Sequence, residues 1–297
     1  MLFNFYGLNI SLPEDLNTIK LIPNALKKGN KSAKCDLEYE ELNPCFISTN
    51  ELIKLDLKYG EINKPKLYNS QIINGNKIKY CFNDKFCDLQ KIQLLLTHPL
   101  AFAGFQRNEC IVHASAVNVN NKAILFLGRS GSGKSFHALN TLKFGQFITE
   151  DIARIKIIEN QAYIYPGIPL LKLDIDDHKI SDTRIKLKND NRGRYLYLLK
   201  DFDYKFEPVK IDKLIVLDNS SVDKIYRISK DLAFKYLFLS IISPLPKMKC
   251  LESEKQFLDN IESLLLSTEI YKLDRNLFNS KNKSEHIFKK FIETVVN

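Results

Sequence analysis

No apolar run among the 297 residues reaches the roughly 18 that a membrane-spanning helix requires. The opening segment, Met1 to Ile10, lacks the basic start and apolar core of a secretory signal. The most apolar helix candidate, 232–242, is interrupted by Lys235 and stopped by Pro244. Cysteine pairs at CxxC spacing and His/Cys clusters of zinc type are missing as well. The six cysteines, Cys35, Cys45, Cys81, Cys87, Cys110 and Cys250, are irregularly spaced in a chain too large to need a disulfide framework, so reduced thiols are expected. Arginine is scarce. Arg107, Arg129, Arg154, Arg184, Arg192, Arg194, Arg227 and Arg275 are all there are, so each is more informative than any one lysine. No repeat and no low-complexity tract is visible. A soluble cytoplasmic protein without membrane or nucleic-acid partners is the expectation.

With 44% hydrophobic and 27% charged residues, the chain can bury a proper core as one large domain or two modest ones. Its formal net charge is +9. Two readings of that excess stand: a footprint for an anionic partner, or a compositional bias toward Lys, Asn and Ile. No aromatic-basic motif or helix-turn-helix pattern supports nucleic-acid binding.

Residues 1–105 read as a small α+β unit, with β-prone runs such as Leu2 to Ile10 and Lys77 to Phe82 broken by Asn, Pro and Gly. Leu89 to Phe105 predicts a connecting helix containing Pro99. Residues 106–297 read as a second, α/β unit. Ile111 to Val119 and Lys122 to Leu127 predict a hairpin across Asn120 and Asn121. A glycine-rich loop follows, then a helix over Ser135 to Phe144 with Gly145 as C-cap, and a strand over Gln146 to Thr149. Further strands are expected at Ala153 to Ile158, Ala162 to Tyr165, Tyr195 to Leu199 and Lys213 to Leu217. Helices are expected at Asp231 to Ile242, Glu254 to Leu266 and Glu285 to Val296.

The loop Gly128-Arg129-Ser130-Gly131-Ser132-Gly133-Lys134-Ser135 matches G-x-x-x-x-G-K-[ST] in full and sits between a β-run and a helix. Glycines there let the backbone wrap phosphates with its N–H groups, and the helix start, with Phe136, adds partial positive charge. Lys134 is expected at the β- and γ-phosphates and the Ser135 hydroxyl on magnesium. Magnesium also needs a carboxylate. Glu150 and Asp151 close the next predicted strand, far earlier than in most proteins with such a loop, and this spacing marks a subgroup. Paired carboxylates suit a division of labour in which one holds metal and the other orients or deprotonates a hydroxyl. His113 stands near the start of the hairpin. His98, His137, His178 and His286 receive no role.

In order and spacing, His113-Ala114-Ser115, the loop from Gly128 to Ser135, and Phe147-Ile148-Thr149-Glu150-Asp151 resemble the HPr kinase family. That wider group shares the nucleotide domain of phosphoenolpyruvate carboxykinase. The resemblance covers residues 108 to 160 and implies an α/β P-loop kinase domain with a mixed sheet. It further implies a histidine near the transferred phosphate, a loop lysine and serine serving ATP and magnesium, and an acidic pair serving metal and catalysis. Two departures stand out: the family has Asp-Asp where this chain has Glu150-Asp151, and the arginine-rich phosphorylase signature of the bifunctional enzymes is missing. The opening Tyr6-Gly7-Leu8-Asn9-Ile10-Ser11 is similar to that of HPr-kinase-like proteins found with ribosomally made peptides, including lasso-peptide tailoring kinases.

The expected activity is an ATP- and magnesium-dependent transfer to a serine or threonine hydroxyl of a peptide or small protein, with residues 1–105 as an acceptor-docking unit. In that reading Glu150 takes the hydroxyl proton, Asp151 and Ser135 hold the metal, His113 lies near the γ-phosphate, and Lys134 neutralises developing charge. A small-molecule kinase and a nucleotide-binding regulator without transfer activity are the alternatives. The basic stretch Lys186, Lys188, Arg192 and Arg194 reads either as a cover for triphosphate or acceptor, or as a solvated hairpin. The sequence leaves oligomeric state open, a homo-oligomer included.

Overall fold

A computed structural model describes residues 2–13, 34–83, 86–174, 183–187, 193–199, 207–221, 224–240, 251–275 and 291. The chain begins with seven strands: β1 (Leu2–Phe5), β2 (Leu8–Ser11), β3 (Leu37–Glu41), β4 (Leu52–Leu55), β5 (Tyr59–Lys64), β6 (Tyr68–Ile73) and β7 (Lys77–Phe82). They form one sheet in the order β1-β2-β3-β7-β6-β5-β4, parallel at β2/β3 and β3/β7 and antiparallel elsewhere. Period-two alternation is visible in β2, where Leu8 and Ile10 face the core while Asn9 and Ser11 do not.

Two helices follow, α1 (Asp88–Leu95) and α2 (His98–Gln106). A single helix over Leu89 to Phe105 was the expectation; the chain instead breaks at Leu96 and Thr97. Pro99 explains the break, because a proline ring is tolerated only in a first turn, and here it sits in the first turn of α2.

A second sheet is built from β8 (Cys110–Val112), β9 (Ser115–Val119), β10 (Lys122–Leu127), β11 (Gln146–Thr149), β12 (Ala153–Ile158), β13 (Gln161–Ile164), β17 (Val209–Asn219), β18 (Lys224–Arg227) and β19 (Glu269–Arg275). Its main path runs β11-β9-β10-β17-β13-β12-β8, and β19 joins β17 in parallel. Centrally, β10 pairs parallel with β17, and Ala123 to Leu127 are all buried, which is why they read as an unbroken apolar run. A small third sheet has the order β14-β16-β15, from β14 (Leu170–Leu173), β15 (Thr183–Lys186) and β16 (Tyr195–Leu198). Helices α3 (Lys134–Thr141), α4 (Lys230–Leu239) and α5 (Leu251–Ser267) complete the described elements. The sheets are mixed and the architecture is α/β. No helix among the described residues is long and apolar enough to cross a membrane.

The expected strand from Ile111 to Val119 is two strands with different partners: β8 pairs β12, and β9 pairs β10. The switch falls at His113 and Ala114. Gly145 is extended (φ −168°), not a left-handed cap. A side chain there would collide with the Asn118 carbonyl, so this glycine serves close backbone approach to β9. The expected helix over Glu285 to Val296 lies outside the described residues except for Phe291, which packs on Phe126 at 5.7 Å between ring centroids. Strands β3, β4, β5, β6, β14, β15, β18 and β19 are not among the strands named from the sequence.

One apolar cluster runs through both large sheets, from Phe3, Ile10 and Ile78 through Leu100 and Phe102 to Ile111, Leu125 and Leu214. A buried charge network crosses the same ground. Glu109 accepts two hydrogen bonds from Arg154 (2.7 and 2.8 Å) and two from Arg107 (3.0 and 3.1 Å). Arg154 also donates to the Tyr6 carbonyl at 2.7 Å, and Arg107 to the Gly75 carbonyl at 2.6 Å. Reduced cysteines were expected throughout, but Cys45 and Cys81 form a disulfide, their Cα atoms brought to 5.4 Å where the segment after β3 lies against β7. Cys35 and Cys87 are exposed thiols; Cys110 is a buried one whose pKa burial pushes up to about 12. Cys250 lies outside the described residues.

Candidate active site

The loop between β10 and α3 turns on three glycines with positive φ, Gly128 (143°), Gly131 (84°) and Gly133 (90°). At Gly128 a Cβ would meet the Leu217 carbonyl and the Ser132 hydroxyl at 2.6 Å, so the tight exit from β10 demands glycine on both conformational and steric grounds. Arg129, Ser130 and Gly131 are exposed, whereas Ser132 and Lys134 are buried. Lys134 turns back over the loop, its ammonium donating to the Gly128 carbonyl (2.9 Å) and the Arg129 carbonyl (3.3 Å). Gly133 is the N-cap of α3 and offers no side chain to the helix, so its first N–H groups carry no side-chain cap. The buried Ser132 hydroxyl has no hydrogen-bond partner. Uncapped amides, an ammonium and an orphaned hydroxyl converging on one turn make a cradle suited to an anion. Phe136 is exposed on α3, packed edge-on against His137 at 5.7 Å between ring centroids.

Beside this loop stand the two carboxylates at the end of β11. The Ser135 hydroxyl donates to Glu150 Oε1, and the Lys172 backbone N–H donates to Glu150 Oε2 at 2.6 Å. Asp151 faces another way. Its backbone is left-handed (φ 65°), His113 Nε2 lies 3.3 Å from Oδ1, and the Lys172 ammonium pairs with Oδ2. The carboxylate that touches Ser135 is Glu150, and Asp151 contacts His113 and Lys172. The cause is the reversal at Asp151, which sends consecutive side chains to different sides of the turn. His113 is placed by the strand switch between β8 and β9, its N–H donating to the Ser240 carbonyl at 2.6 Å.

These surroundings split the two acids. Burial, then the neighbouring Asp151 charge, pushes the Glu150 carboxyl up to about 8, against the pull of Lys172 and the Ser135 hydroxyl. Burial would also raise Asp151, but the charge of Lys172 and the contacts with His113 outweigh it and hold that carboxyl far below the usual range. The two carboxyls are thus driven apart, Glu150 upward and Asp151 downward.

Lys172 is the one site residue whose signal was present in the sequence and unused: a lone lysine among leucines in Leu170-Leu171-Lys172-Leu173. Tyr6 was quoted only as part of an opening pattern. In the fold its ring is fully buried behind the acidic turn, its hydroxyl bonded to the Thr149 side chain and the Ile168 backbone, and its N–H donates to the Pro166 carbonyl at 2.7 Å. Exposed His98, at the start of α2, lies close enough to feel the charges of Asp151, Lys172 and His113. Of the basic stretch, Lys186 is exposed, Arg194 is half-buried, and Lys188 and Arg192 fall outside the described residues. Among the described residues no three His, Cys, Asp or Glu side chains cluster as a self-sufficient metal site.

No protein-family model and no curated protein matches the chain. Among solved structures it is similar to the HPr(Ser) kinase/phosphatase from Coxiella burnetii, with 11% identity, a TM-score of 0.33, and coverage of 62% of this chain and 89% of that one. A likeness of that size carries no argument about activity, which rests on the site itself.

Proposed function

We propose that the protein transfers the terminal phosphoryl group of a nucleoside triphosphate, ATP or another, to a serine or threonine hydroxyl of a peptide or small protein. One observation carries the reading: the hydroxyl of Ser135, the last residue of an anion-shaped loop, is hydrogen-bonded to a buried carboxylate whose neighbour is held by a histidine and a lysine. The loop amides and Lys134 would hold the β- and γ-phosphates. Ser135 and Glu150 offer two hard oxygen donors, which fits a magnesium ion completed by phosphate and water oxygens. Such an ion, when bound, offsets charge on the phosphoryl oxygens.

Asp151, held ionised beside Lys172 and His113, orients the acceptor hydroxyl and takes its proton. The acceptor oxygen bonds to the γ-phosphorus while the bond from that phosphorus to the bridging oxygen breaks and the nucleoside diphosphate leaves. Lys172 stands beside the path of the transferred group as a positive partner, and His113 beside Asp151 as a hydrogen-bonding one. Sites of this kind work by positioning and electrostatics more than by strong base chemistry, so a low pKa at Asp151 is no obstacle.

The test uses ATP labelled at its γ-phosphate, with Lys134→Ala and Asp151→Asn. Each variant should lose transfer by about a thousandfold, on the order of 4 kcal/mol in the barrier. Near wild-type transfer by either one removes the role assigned to that residue. ATP binding without labelled product in the wild type would make the chain a nucleotide-binding regulator.

A further inference from the structure

Strand β9 lies between the strand that leads into the phosphate loop and the strand that ends at Glu150. Ser115 pairs with Phe126 of β10 on one side, and Ala116 with Thr149 of β11 on the other, which leaves Ser115 level with Glu150. Its side chain belongs to the face that α3 covers. Val117 and Phe126 share an apolar cluster with Ala138 of α3, whereas Ala114 and Ala116 belong to the cluster on the opposite face. The Phe126 ring is stacked on His137 at 5.8 Å between centroids, so the first turns of α3 are seated over this part of the strand. Ser115 is fully buried there, and its hydroxyl has no hydrogen-bond partner among the described residues. A hydroxyl withdrawn from water and left unpaired costs about 1–3 kcal/mol, and such groups in folded proteins ask for a partner.

We propose that Ser115 is a positioning residue of the magnesium site, its hydroxyl accepting a hydrogen bond from a water in the shell of the ion. The assignment rests on the nucleotide and magnesium reading argued above and adds a residue to it. Three elements enclose Ser115, and each carries a group already placed at phosphate or metal: β10 runs into the loop, β11 into Glu150, and α3 starts with Lys134 and Ser135. Ser135 and Glu150 supply only two oxygens toward an octahedral shell, and magnesium keeps several of its waters. Those waters are strong donors and need acceptors in the protein. Both Glu150 oxygens are already engaged, Oε1 by the Ser135 hydroxyl and Oε2 by the Lys172 N–H. The Ser115 hydroxyl keeps its lone pairs free in the same wall. If Ser115 served only to fill space, alanine would do as well and would strand no oxygen.

The experiment titrates ATP calorimetrically into the wild type and Ser115→Ala at a series of magnesium concentrations and in chelator. The wild type should bind more tightly as magnesium rises. Ser115→Ala should need about tenfold more magnesium, or beyond, to reach half of that gain, the loss typical when a partner of a metal's own ligands is removed. Saturating magnesium should restore its binding. In chelator its thermal midpoint should hold or rise, because the stranded oxygen is gone. Should Ser115→Ala fail to fold, Ser115→Cys, of similar volume but a weak hydrogen-bonding group, should show the same rise in magnesium requirement. An unchanged requirement overturns the assignment, whether or not the midpoint moves, since a packing role can shift stability but not the demand for the ion. If the wild type binds ATP no better with magnesium than in chelator, or binds none, the magnesium site itself is refuted, an outcome distinct from failure at Ser115.

Discussion

Glu150→Gln separates the electrostatic argument from the catalytic one, because it can be read without nucleotide or acceptor. In the folded chain Glu150 keeps its proton up to about pH 8, whereas its ordinary value is 4.5. Between those two values the native state binds one more proton than the unfolded state, so the free energy of unfolding falls as pH rises, by about 1.4 kcal/mol per unit. The stabilisation is complete below pH 4.5 and has gone once pH has climbed through 8. Glutamine cannot ionise. Its amide oxygen can still accept from the Lys172 N–H, and the Ser135 hydroxyl, which donates to Glu150 Oε1, would turn to accept from the amide nitrogen.

The two proteins should therefore match near pH 4.5 and diverge steadily above it, with the variant the more stable. The ceiling on that gap is about 3 kcal/mol at pH 7 and about 5 kcal/mol beyond pH 8. At roughly 2 °C per kcal/mol for a chain of this size, the variant's Tm should lie several degrees higher at pH 8. Thermal unfolding followed by circular dichroism from pH 5 to 9, with chelator present, measures it. Asp151 contributes equally to both curves, since Lys172 and His113 keep it ionised across the whole range. Parallel curves, or a variant that loses ground at high pH, would refute the claim that burial and Asp151 hold a proton on Glu150. The same substitution should raise the magnesium concentration needed for ATP binding, since the donor beside Ser135 is weakened.

Arg154→Ala should cost about 3–5 kcal/mol in urea unfolding, because it removes two hydrogen bonds to Glu109 and one to the Tyr6 carbonyl inside a buried network. Gly167→Ala would set a Cβ 2.5 Å from the Tyr6 ring and against the Thr149 hydroxyl. Overpacking there should cost about 1–3 kcal/mol in Tm-derived stability and slow phosphoryl transfer, because the ring that backs the acidic turn must move.

The phosphate loop was legible because its chemistry is written in contiguous residues: three glycines whose positive φ the backbone needs, one lysine, one serine. Glu150 and Asp151 were legible by nearness, one short helix and one short strand beyond that loop. Their roles were not. Which acid meets Ser135 depends on the left-handed backbone at Asp151, and the residue type there does not announce it, as aspartate enters that region only occasionally. Lys172 reaches Asp151 because the small third sheet packs under the acidic turn, a long-range arrangement with no local signature. The first sheet was hidden for a similar reason: β3 pairs in parallel with both β2 and β7, so its partners are set by tertiary contacts. Nor does cysteine spacing reveal that Cys45 meets Cys81, which needs the pairing of β3 and β7 to be known first.

Tyr6 shows why the site needs residues so far apart in sequence. It occupies a left-handed conformation (φ 55°) at the β1–β2 turn, which costs a non-glycine residue on the order of 1 kcal/mol. Three contacts offset that cost: its N–H to Pro166, its carbonyl to Arg154, and its hydroxyl to Thr149 and Ile168. All four partners, Pro166, Arg154, Thr149 and Ile168, lie in the strands and loops that carry or back Glu150 and Asp151. The turn thus fixes the rear of the acidic pair, while the α1–α2 elbow from the same part of the chain forms the wall opposite β14. The anion cradle is built by the second sheet and its helix.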